Sequence, residues 1–134
     1  DVDLFNKAAE AQGLSKLTKY IPLEVDKKDF DGVLQSEWFM PDEYKDMDIY
    51  RYLEQKCSSN ESLDRVDMEF KEYSSRGMLD LLCYMVYLVD FMRENKIVWG
   101  VGRGSSVSSY ILYLIGVHKV DSIQYGLDFN EFMR

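Results

Sequence analysis

A helix-rich α+β fold is what this sequence predicts, on three observations. Apolar residues recur at three- and four-residue spacing in several segments, the pattern of a helix with one buried face. The stretch Met78 to Met92 is apolar almost all round, broken only by Asp80 and Asp90, and reads as a central buried helix of about 77–93. A single short β-type run, Ile97-Val98-Trp99, leads into a glycine-rich turn and then another helix. At 134 residues the chain is expected to form one domain, with an N-terminal helix and acidic loop region over 1–38 and the main body over 39–134.

The elements follow in order. Leu4, Phe5, Ala8 and Ala11 share a helical face, with Asp3 as a candidate cap and Gly13 as a stop. Residues 14–45 hold both prolines, Pro22 and Pro41, and read as loop with short strands or turns. A short helix from Asp46 or Asp48 turns Ile49, Tyr50, Leu53 and Cys57 to a core. Ser58-Ser59-Asn60 breaks it, and a new helix from about Ser62 carries Leu63, Val66, Phe70 and Tyr73 inward. After the glycine turn, Val107, Ile111, Leu114 and Ile115 mark one more helix, stopped at Gly116. The tail 121–134 reads as one or two short helices.

Charge narrows the function classes. Residues 1–92 carry 11 Lys/Arg against 20 Asp/Glu, a net of −9, while residues 93–134 carry 5 against 4, a net of +1. A wide DNA-coating surface is therefore not expected, and the last third leaves room for a small, local phosphate site. Cys57, Cys83 and His118 stand in no paired ligand motif, so no zinc cage is expected and Cys83 reads as a core residue. His118 reads as a turn residue, and Asp121 and Asp128 as caps or surface carboxylates. No segment has the apolar length of a membrane span, and no signal peptide opens the chain, so a cytoplasmic location is the expectation.

One motif carries chemistry. In Gly100-Val101-Gly102-Arg103-Gly104-Ser105-Ser106, glycines allow close backbone approach and positive φ. Serines at a helix start can cap it and leave amides facing an anion, and Arg103 offers a planar fork for phosphate oxygens. The same turn serves equally as a plain strand-to-helix connection, and Trp99 beside it fits a buried position better than a base-stacking one.

Ile97 to Ser105 resembles the Ile-x-Val-Gly-Pro-Gly-Arg-Gly-Ser signature of the C-family replicative polymerases, the bacterial DNA polymerase III alpha subunits. The similarity continues through Tyr113-Leu114-Ile115-Gly116-Val117, Val120-Asp121-Ser122-Ile123-Gln124-Tyr125 and Leu127-Asp128-Phe129-Asn130-Glu131-Phe132-Met133. Upstream, Phe39-Met40-Pro41, Tyr52-Leu53, Arg65, Glu69 and Tyr84 through Phe91 resemble the segments before that loop. The resemblance implies a reduced polymerase-β-like palm fragment built on a strand, a glycine-rich loop and a helix. It implies a nucleotide or phosphate site at Gly102, Arg103, Gly104, Ser105 and Ser109.

The chain departs from the family pattern at Val101, at Ser108-Ser109 and at Glu131. The family's metal-binding aspartates lie beyond Arg134, so no cofactor is expected for this chain alone, and Mg²⁺ only where a partner completes the site. The expectation is a non-catalytic accessory or interaction subunit, inactive by itself, bound to a DNA polymerase or other replisome protein and facing a dNTP or primer-template DNA. Alternatives are one chain of a split polymerase and a palm mimic that binds or blocks host replication proteins. A stand-alone piece of this kind also fits a bacteriophage genome. An apolar face including Phe129, Phe132 and Met133 is expected to be open to a partner.

Overall fold

A computed structural model describes residues 1–134 as seven α-helices and two 3-10 turns, with no β-strand. The chain divides into two compact units, Asp1–Trp38 and Phe39–Arg134. In the first, α1 (Val2–Ala11) is capped by the Asp1 carboxylate, one residue class that sequence places at Asp3 instead. Asn6 then ties the following segment to α1, donating to the Leu17 carbonyl at 2.9 Å and accepting from the Leu17 amide at 2.7 Å. A second helix, α2 (Lys27–Ser36), starts at the Asp26 cap. Together with the short α3 (Asp42–Lys45), it replaces the strands and turns expected for residues 14–45. The cap residues Asp26 and Pro41 carried that signal, and the acidic residues around them obscured it.

The second unit holds the core. Its helices are α3, α4 (Ile49–Glu54), α5 (Asn60–Ser75), α6 (Leu79–Glu94) and α7 (Tyr110–Ile115). A reciprocal capping box opens α5: the Ser59 hydroxyl accepts from the Ser62 amide at 3.1 Å, and the Ser62 hydroxyl accepts from the Ser59 amide at 3.0 Å. At the other end Gly77 takes φ +67°, and the Met78 amide reaches back to the Tyr73 carbonyl at 2.9 Å. That turn sends α6 back against α3, α4 and α7. Leu53, Val66, Leu82, Val86, Val89, Ile111 and Ile115 close the core, all at most 1% exposed. On the outer side, α3 packs against α6 through Tyr44, whose ring lies 5.3 Å from that of Tyr87 and whose hydroxyl donates to Asp90 at 3.3 Å.

Sequence patterning overstates the burial of α6. Leu82, Cys83, Val86 and Val89 are buried, whereas Tyr84, Met85, Tyr87 and Leu88 are half-buried and Phe91 is exposed. The expected strand at 97–99 does not form. The peptide groups of Val98 through Gly102 make no hydrogen bond, and Val98 is 94% exposed. A strand exists only when a neighbour satisfies its amides and carbonyls, and residues 1–134 supply none. The fold is therefore helical rather than α+β, and no palm sheet is present in it. Likewise, the helix expected from Val107 breaks in two at Ser109: a 3-10 turn at Gly104–Ser108, then α7. Gly116 ends α7 at φ +97°, with the Val117 amide bonded to the Leu112 carbonyl at 2.9 Å.

Leu53 is fully buried among these helices. Truncating it as Leu53→Ala is expected to lower unfolding free energy by about 2–5 kcal/mol, because the neighbours only partly collapse on the void. Val98→Ala, on an exposed side chain, is expected to change it by less than about 0.5 kcal/mol. Urea denaturation of both variants measures the contrast, and equal losses would contradict the packing described.

Candidate functional site

The glycine-rich loop rests on a buried polar network. Glu69, on the inward face of α5, is 0% exposed and its carboxylate takes four donors. They are the Arg65 Nε at 2.7 Å, the Ser109 hydroxyl at 2.8 Å, and the backbone amides of Tyr110 at 2.8 Å and Ile111 at 3.1 Å. The first amides of α7 are thus satisfied by a carboxylate from another helix, with the helix dipole favouring the negative charge there. Arg65 sits one turn before Glu69 and uses its second nitrogen to reach the carbonyls of Ser108 at 2.8 Å and Leu127 at 2.9 Å. Burying this carboxylate without such partners would be prohibitive. Tyr73, a further turn along α5, shares a hydrogen bond with Ser109 Oγ at 3.0 Å, and its burial pushes its hydroxyl pKa up.

Ser109 is accordingly part of the support. It is 0% exposed, caps α7 and lends its carbonyl to His118 Nε2 at 3.0 Å. Sequence groups it with the phosphate-facing residues; the structure separates it from them. His118 is buried, and its Nδ1 accepts from the Val120 amide at 3.2 Å, so the proton sits on Nε2. Both of its nitrogens are committed to structure. Asp121 accepts from the amides of Ile123 and Gln124, and Asp128 from that of Asn130, so each caps a local turn.

Gly102, Arg103, Gly104 and Ser105 closely precede the Ser108 and Ser109 that this network holds. Gly102, Arg103 and Gly104 are exposed, and the Ser106 amide closes a turn onto the Arg103 carbonyl at 3.0 Å. Arg103 forms no ion pair; its guanidinium lies 5.9 Å from the centre of the Phe132 ring. The Ser105 hydroxyl is buried with no hydrogen-bond partner, the one such side-chain atom in the chain. Gly100, Gly102 and Gly104 do not adopt the positive φ expected of them, and nothing within 4 Å would meet a Cβ on any of the three. The chain's own packing therefore gives no reason for glycine there. Open space in front of a bare backbone leaves room for a group from outside.

Behind the loop lies an apolar cavity of about 260 Å³, with Met85, Val101, Leu112 and Phe132 among its walls. Of the three residues expected on an open face, Phe129 is instead 2% exposed, its ring 5.8 Å from that of Tyr73, while Phe132 and Met133 are half-buried. Burial wins for Phe129 because the tail folds back through the bond from Arg65 to Leu127. Sequence reasoning noticed Arg65 and Glu69 without seeing what they do; their four-residue spacing on one helix face was the available signal. No three His, Cys, Asp or Glu side chains converge on a point where they could hold a metal ion.

A family model described as the bacterial DNA polymerase III alpha NTPase domain matches residues 42–134. The chain is 29% identical over 85 residues to the DNA polymerase III subunit alpha of Staphylococcus epidermidis, covering 63% of this chain and 8% of that protein. It is 32% identical over 71 residues to the subunit of the same name from Staphylococcus aureus, covering 53% of this chain and 7% of the relative. The chain thus spans less than about a tenth of the length of these curated relatives. No solved structure matches it.

Glu69→Ala leaves Arg65 and the first amides of α7 without their acceptor, and is expected to cost about 3–5 kcal/mol of stability. Glu72→Ala, three residues on, removes an ion pair to Arg76 whose side chains are 40% and 49% exposed, and is expected to cost no more than about 1 kcal/mol. Thermal unfolding followed by circular dichroism separates the two. Similar losses would show that the buried carboxylate is not what holds α7.

Proposed function

The chain belongs to the bacterial DNA polymerase III alpha NTPase domain family, and from that premise we propose that it acts in DNA replication as a phosphate-facing accessory to a DNA polymerase. Its curated relatives are polymerase subunits, which is what supports a replication setting. In this reading the loop Gly102–Ser105 takes the phosphates of a dNTP or of a primer-template end. Arg103 supplies a charged, two-pronged donor and Ser105 an uncommitted hydroxyl. Ser109 acts one step back, fixing the start of α7 through Glu69. The observation that carries the reading is the pairing of an unpartnered guanidinium with an unpartnered hydroxyl on a loop whose glycines are unexplained by internal packing.

Nucleotidyl transfer needs carboxylates gathered around Mg²⁺, which would position the phosphate and the primer hydroxyl. The side chains of this chain do not provide that group, so they do not fit a two-metal centre by themselves. What they provide is binding and orientation, and chemistry would require acids from elsewhere. The acidic character of residues 1–92 favours contact with basic protein surfaces over contact with duplex DNA, consistent with an accessory role at a polymerase or another replisome protein.

Arg103→Ala and Ser105→Ala test the loop. Each is expected to leave thermal stability near that of the parent, and Arg103→Ala to weaken dNTP or primer-end binding by about 1–3 kcal/mol, measured by calorimetric titration. Unchanged binding in both variants would reduce the loop to a connection. In the same preparation, primer extension with Mg²⁺ is expected to stay at the buffer level; template-dependent incorporation would remove the accessory reading.

A further inference from the structure

A basic groove runs between the end of α6, the segment 97–101 and the turn 116–120. It encloses about 620 Å³, and a second hollow of about 630 Å³ adjoins it across Arg93, Trp99 and Lys119. In a chain of net charge −8, the charged residues around these hollows are Arg93, Lys96, Lys119 and Lys56, with no carboxylate lining either one. All four cations are exposed. Arg93 has only a 3.6 Å contact to Asp90, and Lys56 lies over the Tyr52 ring at 4.8 Å; Lys96 and Lys119 have no ionic partner.

The floor between these cations is apolar, formed by Ile97, Val117 and Val120 with the Trp99 ring. Trp99 is held in place, its indole N–H donating to the carbonyls of Gly116 at 3.3 Å and Val117 at 3.2 Å. One wall is the segment Val98–Val101, whose peptide groups are all unpaired. None of Gly102, Arg103, Gly104 or Ser105 lines the groove.

From this combination we infer that the groove docks an extended segment of a partner protein in which carboxylates alternate with apolar side chains. Each feature matches one part of such a peptide. The apolar floor takes every second side chain, the cations on the rim take the carboxylates, and the unpaired backbone of 98–101 pairs with the peptide's own amides and carbonyls as a strand neighbour. A nucleic acid would meet the same cations, but it has no use for an aliphatic floor or for unpaired peptide groups. The inference stands independently of whether the loop at Gly102–Ser105 binds phosphate.

The probe is a synthetic peptide alternating Asp and Leu, titrated into the full chain carrying Trp38→Phe so that Trp99 alone reports. The expected result is a saturable shift in Trp99 emission whose affinity falls as salt rises. Lys96→Glu/Lys119→Glu is expected to weaken binding at least about tenfold with the circular dichroism spectrum unchanged. A peptide with Lys in place of Asp is expected not to bind. Hydrogen exchange gives a second readout, in which the bound peptide slows exchange at the amides of Val98–Val101. The inference is overturned by an absence of saturable binding, by equal binding to the double variant, by no added protection at 98–101, or by single-stranded oligothymidylate binding these residues more tightly than the peptide.

Discussion

The carboxylate of Glu69 is the constraint around which the second unit is arranged. A carboxylate removed from water must be met on several sides, and here every donor comes from a defined place: Arg65 from its own helix, Ser109 from a side chain, and two amides from the start of α7. The requirement runs both ways. Helix α7 has six residues, too few to hold its first turn by propensity, and borrows its N-terminal acceptor from α5. Arg65 extends the same tie to Ser108 and Leu127, so one α5 turn fixes the 3-10 turn before α7 and the tail after it. The exposed pairs Lys19–Asp3 and Arg134–Glu131 impose nothing comparable, being screened by water on most sides.

A rigid back and an open front follow from that arrangement. Ser109, Tyr73 and His118 spend their hydrogen bonds inward, and Phe129 fills the space beside Tyr73. In front, Arg103 keeps its donors unspent and the backbone of 98–102 is unpaired on the adjoining segment, while the buried Ser105 hydroxyl has no partner. Preorganised support beneath uncommitted donors is what a binding surface needs, because little ordering remains to be done when a ligand arrives. The charge of the groove adds direction: Arg93, Lys96, Lys119 and Lys56 line it with no carboxylate among them, which favours a negatively charged ligand there.

Much of this molecule is legible without coordinates wherever the controlling physics is local. Helical spacing in 49–57 and 60–75, the Ser59 break, the Gly116 stop and the core position of Cys83 depend on neighbours three or four residues away, and the sequence by itself determined them. It also determined the family, through residues 42–134. Only the tertiary structure decided the rest. Whether Ile97-Val98-Trp99 becomes a strand depends on a neighbour that spacing cannot reveal, and none is there. Whether Ser109 faces a ligand or a carboxylate, and whether Phe129 faces a partner or Tyr73, depends on α5, some forty to sixty residues earlier in the chain. Those choices belong to long-range burial of charge and apolar area, whose partners are set by the folded chain and not by the order of residues around each site.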